Sequence, residues 1–345
     1  MRLDFDRLQR FVVDVLVAVD VLPDHAETTA RRLLEADLRG RTGHGIIRVP
    51  QYIERIEGGA INLRPEIEVI RASPVGALVD GDNGLGQVVM SIAAETAIDK
   101  AEENGMAWVG TVRSNHAGAA GIYTGLALER DMISIYTAVA SANVMPPWGG
   151  TERLLGTNPI SIAIPGGSEP GFQLDIATTV ASHGTIKVLA QAGETMPEGW
   201  VIDAHGEPIT DPSEADRGFL MPIGGYKGSG INMAIGLLAG VLNGAAFGSD
   251  VIDHRAVPDQ EANTGQSMFV MRPDLFRDLD DFKAGIDRHL AELRAAGETE
   301  AVHIPGDGAT RLEDEQRAKG IPLPDVLLGQ LRDIAARFGL EDDLS

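Results

Sequence analysis

The chain has 345 residues, 43% of them hydrophobic, enough to bury one large core or two ordinary ones. Its 29 basic against 51 acidic residues leave a formal charge of −22, which disfavours nucleic acid and anionic membranes as partners. With no cysteine, disulfides, thiolate nucleophiles and Cys-based metal sites are excluded. The start, Met1-Arg2-Leu3-Asp4-Phe5-Asp6, is charged and unlike a signal peptide, and no apolar run approaches the roughly 20 residues of a bilayer span. A cytoplasmic protein is expected.

Apolar residues at Leu8, Phe11, Val12, Val15 and Leu16 predict a first helix, and Pro23-Asp24 opens a second through Leu33, Leu34 and Leu38. A third is expected through Ile46, Ile47, Val49, Tyr52 and Ile53 to Gly58-Gly59, with Pro50 marking an early turn or kink. Segments 77–80, 107–112 and 132–137 read as buried strands, separated by helices over 88–103 and 119–130. Gly149-Gly150, Gly156-Thr157-Asn158-Pro159 and Pro165-Gly166-Gly167 mark tight turns in a strand-rich region. Residues 231–242 read as an Ala/Gly/Leu-rich helix buried on most sides, and 278–296 and 325–338 as two later helices. Loose segments are expected at 203–217 and 306–309.

Two histidines stand among small residues and turn formers: His44 in Thr42-Gly43-His44-Gly45, and His116 in Ser114-Asn115-His116-Ala117-Gly118. Imidazole is suited to moving a proton near neutral pH, and small neighbours let backbone approach a ligand. On a helix, His44, Arg48 and Tyr52 would share one stripe. A guanidinium clamping a carboxylate beside an imidazole that handles the neighbouring oxygen's proton is what a 2-hydroxy or 2-oxo acid requires. A solvated polar face is the plain alternative. Asp175 could orient a histidine or simply cap a turn. His183, His205, His254, His289 and His303 lack such settings and read as surface or packing residues. No spacing suits a metal.

The nearest approach to a dinucleotide fingerprint, Gly84-Leu85-Gly86-Gln87-Val88-Val89, lacks the third glycine and reads as a turn with close helix packing. A conventional Rossmann domain is not expected. Gly224-Gly225-Tyr226-Lys227-Gly228-Ser229-Gly230 is not a Walker A loop. It either seats a phosphate at a helix N-terminus or is a flexible turn with a solvated lysine.

Taken in order, these segments resemble the malate/L-lactate dehydrogenase-2 family of NAD(P)-dependent oxidoreductases, over nearly the whole chain. The resemblance rests on Leu38-Arg39-Gly40 with His44-Gly45, Arg48 and Tyr52; on Ser114-Asn115-His116; and on Gly149-Gly150 with Gly156-Thr157-Asn158-Pro159. It continues through Asp175 with Ala177-Thr178-Thr179, Gly199-Trp200, Asp203, Gly206 and Pro208, then Gly225-Tyr226-Lys227-Gly228 and Pro305-Gly306-Asp307, to Gly320-Ile321. It implies an α/β, non-Rossmann dinucleotide-binding fold, usually a homodimer. Residues 1–72 would form a helical region carrying substrate-site residues and packing with 310–345, around a β-rich core of 73–309.

The resemblance also implies roles. His44 and His116 match alternative proton donors, and Arg48 matches the substrate-carboxylate position, with Tyr52 beside it. Asp175, Ala177, Thr178, Thr179, Tyr226, Lys227, Gly306 and Asp307 match cofactor-contacting stretches, and Asp175 also matches a relay aspartate. The expected reaction is hydride transfer between NAD, or NADP, and a small 2-hydroxy/2-oxo carboxylic acid, with His116 as acid/base and His44 orienting the substrate. The alternatives are an NADPH-dependent cyclic ketimine reductase and, more remotely, a non-catalytic dinucleotide sensor. Gly43 stands where the family commonly has Ser, which removes the hydroxyl of the ketimine reductases' relay. Thr185 replaces the basic residue usual after Gly184, which leans toward NAD, and Asp307 replaces a Glu.

Overall fold

The computed structural model describes residues 1–182, 185–186, 189–190, 193–297, 302–341 and 344; His183 and Gly184 lie outside them. After the short β1 (Arg2–Leu3), α1 (Phe5–Ala18) is capped by Asp4, whose side chain accepts the Asp6 and Arg7 N–H groups. α2 (Pro23–Leu38) starts on a proline, where a missing N–H costs no helical bond. The third helix differs from expectation. Two 3-10 turns, Thr42–His44 and Ile46–Arg48, precede α3 (Val49–Glu57), so His44 is not on a continuous helix with Tyr52. Gly45 breaks it: a Cβ there would overlap the buried Asp37 carboxylate of α2, which also accepts the Ile46 N–H at 2.7 Å. Pro50 falls in the first turn of α3, where its ring is tolerated, and so starts the helix rather than kinking it.

The hairpin β2 (Glu68–Ser73) and β3 (Gly76–Asp80) leads into α4 (Gly86–Asn104), and β4 (Met106–Val112) returns parallel to β3. Then follow α5 (Ala120–Leu128), β5 (Ile133–Ala138), β6 (Ile160–Ile164) and β7 (Phe172–Ile176). A small ribbon, β8 (Val201–Ile202) with β9 (Phe219–Leu220), precedes α6 (Tyr226–Ala239) and β10 (Gln266–Met271). The chain ends with α7 (Leu279–Ala295), α8 (Asp307–Lys319), β11 (Ile321–Pro322) and α9 (Asp325–Arg337). One seven-stranded sheet runs β2-β3-β4-β10-β5-β6-β7. Only its β3–β4 pairing is parallel. A doubly wound dinucleotide fold needs parallel strands around a switch point, so the missing glycine fingerprint and the mixed sheet agree.

Two apolar clusters hold these layers. α4 and α5 pack on the sheet through small residues such as Ala93, Ala97 and Ala120, against Val79, Val109 and Met268. α1, α2, α3 and α9 share a second core that includes Leu16, Leu33, Ile53 and Leu331, and β1 pairs with β11 to tie the two ends of the chain together.

Other expectations need correction. Residues 306–309 open α8 rather than forming a loose segment, and α6 begins at Tyr226. Nor is α6 buried on most sides: it packs on β5 and β10 but exposes Ile231, Leu237 and Leu238, continued by Val241 and Leu242. Segment 203–217 is irregular, with Asp203 accepting the N–H groups of His205 and Glu207 and a 3-10 turn at Pro212–Arg217.

At Gly86, the first residue of α4, an added Cβ would overlap the backbone carbonyl oxygens of Asn115 and His116. Gly86→Val should therefore cost about 1–3 kcal/mol in chemical denaturation and lower activity, despite the better helix propensity of valine. A variant of unchanged stability would mean that the 115–116 backbone yields easily.

Candidate active site

His116 follows β4 on a segment held from three sides. The Asn115 side-chain amide donates to the carbonyls of Asn83 (3.1 Å) and Gly84 (2.9 Å), in the turn before α4. Gln266 of β10 donates to the Asn115 carbonyl (2.9 Å), and the Tyr123 hydroxyl of α5 donates to that of Ala117 (2.5 Å). The His116 ring is thereby fixed, with both nitrogens engaged. Nδ1 lies 2.7 Å from the Tyr52 hydroxyl, and Nε2 lies 3.3 Å from His44 Nδ1. The imidazoles stack at 5.4 Å between centroids, and Gln87 of α4 donates to the Tyr52 oxygen at 2.6 Å. Unlike either nitrogen of His116, His44 Nε2 has no hydrogen-bond partner among the described residues.

The surrounding protein keeps these groups neutral. Burial, reinforced by Arg48 and Arg41, pushes His44 down to about 3. Burial, then Arg48, His44, His254 and Arg55, holds His116 well below its usual range. Tyr52 is pushed up to about 12 by burial, so its hydroxyl stays protonated. Arg48 donates through Nε to the Gly43 carbonyl (2.7 Å) and through Nη1 to Gln51 (3.0 Å), leaving Nη2 without a partner among the described residues. Nothing lies within 4 Å of a Cβ added at Gly43, so the departure from serine is not forced by space.

Asp175 is placed differently from a histidine-orienting relay. Its carboxylate lies 3.3 Å from Arg41 Nε, its carbonyl accepts from Arg41 Nη2 (2.9 Å), and neither histidine is bonded to it among the described residues. Burial raises its pKa. Gly306 packs on Gln173 beside it, and Asp307 is bound by Arg294 at 2.8 and 3.0 Å. Ala177, Thr178 and Thr179 continue toward the glycine-rich loop. Thr178 Oγ1 bonds the Thr157 and Asn158 carbonyls and accepts from Asn232 of α6, while the Thr178 carbonyl accepts the Ile223 N–H. Gly224 and Gly225, with φ of 59° and 65°, turn the chain into α6 and leave Tyr226 and Lys227 exposed at its N-terminus. The sequence-expected cofactor residues thus form a track from the Arg41–Asp175–Gly306 corner along 177–179 to Tyr226 and Lys227. An exposed lysine and free N–H groups at a helix start fit an anionic dinucleotide.

Sequence reasoning missed Arg55 and His254, both buried in a cavity with His116 and Tyr52. The available signal for Arg55 was an arginine on the core-facing side of α3, two turns from Arg48. His254 was read as a packing or surface residue, whereas it sits beside the catalytic candidates. His205, His289 and His303 are exposed, as expected.

Comparison with known proteins places the chain. The family described as malate/L-lactate dehydrogenase matches residues 3–332, and the chain belongs to that family. It is 38% identical to an L-sulfolactate dehydrogenase of Methanocaldococcus jannaschii over 96% of each chain. A solved sulfolactate dehydrogenase from that organism superposes with a TM-score of 0.91, covering 99% of this chain and 98% of that one, at 36% identity. Two relatives, each 32% identical, differ in the cofactor their names carry. These are a ureidoglycolate dehydrogenase (NAD(+)) of Escherichia coli (94% of this chain, 93% of the relative) and a (2R)-3-sulfolactate dehydrogenase (NADP(+)) of Chromohalobacter salexigens (94% and 95%). A Δ1-piperideine-2-carboxylate reductase from Pseudomonas syringae is more distant, at 26% identity and a TM-score of 0.87 over 97% of this chain and 100% of that one.

Because the buried imidazoles hold protons less tightly than free ones, the unfolded chain takes up protons first as pH falls. For His44 and His254 this contribution to stability is full above pH 6.5 and declines from there toward pH 3. His254, pushed down to about 3 chiefly by burial and then by Arg55, contributes without belonging to the hydrogen-bonded chain. His254→Gln should flatten the stability–pH profile over that window. A profile with unchanged slope would show this ring to titrate normally.

Proposed function

We propose that the chain uses His44 as acid/base and Arg48 as carboxylate clamp in reversible oxidation of a small 2-hydroxy acid, with NAD as preferred dinucleotide. The chain is a nicotinamide-dependent hydroxy-acid dehydrogenase, as its family and named relatives are. When bound, the nicotinamide accepts or supplies the hydride at C2. The observation that carries the assignment is that His116 uses both ring nitrogens inside the protein while His44 Nε2 remains open. This reverses the roles expected from the local sequence, where the intact Ser-Asn setting favoured His116.

In the oxidation direction, neutral His44 takes the hydroxyl proton on Nε2. Its Nδ1–H then donates to His116 Nε2, the His116 proton sits on Nδ1 facing the Tyr52 oxygen, and the Tyr52 hydroxyl turns to the His116 carbonyl 3.4 Å away. Charge created on His44 can pass to His116 along this line. Arg48 and Arg41 nearby oppose its retention, which favours returning the proton in the reduction direction. Arg48 Nη2 has no acceptor among the described residues and is free to bind the C1 carboxylate. Tyr226, Lys227 and the 177–179 track would hold the dinucleotide. At position 185, Thr185 pairs with the Ser182 hydroxyl (3.0 Å) and offers no cation to a 2′-phosphate, which supports NAD. Cyclic ketimine reduction is the weaker reading, because Gly43 lacks the hydroxyl and the reductase likeness is distant.

We also propose a homodimer, since α6 and the turn after it expose Ile231, Leu237, Leu238, Val241 and Leu242 together, an apolar area that a solitary chain would leave in water.

His44→Ala should lower kcat for 2-oxo acid reduction with NADH by about 10²–10⁴-fold. Tyr52→Phe, which removes the hydroxyl that engages His116 and Gln87 but leaves His44 in place, should cost less, roughly tenfold. A His44→Ala enzyme with full activity beside an inactive His116→Ala would reverse the assignment. Light scattering should give the mass of two chains for the wild type and of one for Leu237→Lys/Val241→Lys. A wild-type mass of one chain would rule out the dimer.

A further inference from the structure

Arg55 of α3 is only 2% exposed, yet no carboxylate pairs with it among the described residues. Its Nη2 donates to Asn115 Oδ1 (3.2 Å) and to the Gln260 carbonyl (3.1 Å), and its buried Nη1 has no partner. A buried cation is ordinarily paired, and one left unpaired is costly. Arg55 lines a cavity with Gln51, Tyr52, His116, Ser141 and His254, and neither His44 nor Arg48 borders it. The cavity is therefore distinct from the open His44 nitrogen and the Arg48 clamp assigned to the substrate.

Its walls offer hydrogen-bond donors and no negative charge. None of the lining residues is a carboxylate. Gln51 accepts from Arg48 through its side-chain oxygen (3.0 Å), so its amide nitrogen is left to donate, and the Ser141 hydroxyl is a second donor. Neither group has a partner among the described residues. Asp253, the acidic neighbour of the buried His254, is already bound by Arg255 at 3.1 and 3.2 Å.

The open bonds limit the shape of a partner. A carboxylate or phosphate is clamped by two parallel N–H bonds from one edge of a guanidinium. Either such edge of Arg55 needs Nη2, whose two hydrogens already go to Asn115 and Gln260. A spherical anion needs no fork: it accepts single bonds from several directions, as Nη1, Gln51 and Ser141 can supply. A water molecule would satisfy these donors but leave the charge uncompensated.

We infer that this cavity is a halide site, in which chloride accepts from Arg55 Nη1 beside His116. Seated there, chloride offsets one of the cations that hold the His116 ring unprotonated. The site is independent of which acid or dinucleotide the enzyme uses, and its test requires no turnover.

The first measurement is thermal unfolding of the full chain in sodium chloride and in sodium fluoride at equal ionic strength. General salt effects favour the strongly hydrated fluoride, whereas a buried site favours chloride, which sheds its water more readily. The wild type should melt roughly 2 °C or more higher in chloride. Arg55→Met should lose that excess and follow the general order. A wild type that melts no higher in chloride than in fluoride, or an excess that survives in Arg55→Met, overturns the assignment. Should the variant not fold, wild-type crystals soaked in sodium bromide decide. An anomalous peak should stand at hydrogen-bond distance from Arg55 Nη1. A water there instead, or bromide found only elsewhere, overturns the site whatever the substrate proves to be.

Discussion

The site depends on one close backbone approach: the Asn115–His116 segment running against the first turn of α4 at Gly86. That contact puts Gln87, the next residue of α4, within reach of Tyr52, and so orients the hydroxyl that engages His116. It also lets the Asn115 side chain hold the 83–84 turn with its amide while its oxygen accepts from Arg55. Three elements far apart in sequence thereby meet at one imidazole. A side chain at position 86 would separate them.

Electrostatics then sets what the assembled groups can do. The chain is strongly acidic, yet Arg41, Arg48 and Arg55 surround the two stacked imidazoles, and among the described residues only Arg41 of the three is paired with a carboxylate. Desolvation and these cations keep both rings unprotonated, which is the state a base needs for oxidation. The same arrangement leaves the pocket short of negative charge. An anionic substrate supplies it, and in doing so makes a protonated ring easier to sustain for the reverse reaction. Binding and proton transfer are therefore coupled through one charge deficit.

Much of this was legible in the residues themselves. Apolar spacing located α1, α2, α5 and α9 to within a few residues, and continuous apolar runs located β3, β4 and β5, because local periodicity reports a buried face directly. The same rule failed where packing outside the window decides. The exposed side of α6 looks like core by composition alone, and Gly45 interrupts the expected helical stripe because of Asp37 on a different helix. His44, Arg48 and Tyr52 lie near one another, but not on the continuous helical stripe that their spacing predicts. His44 and Tyr52 meet through His116, which no sequence spacing could have shown. Arg55 and His254 escape sequence reasoning for the same reason, since only the fold brings them beside His116.

The most direct measurement of the central claim is a crystal structure of the protein with NADH and oxamate, an unreactive 2-oxo acid analogue. The account requires His44 Nε2 to lie within about 3 Å of the oxamate 2-oxygen, with the His116–Tyr52 hydrogen bond intact. A structure in which a His116 nitrogen has left Tyr52 or His44 to take that oxygen, with His44 turned away, would contradict it.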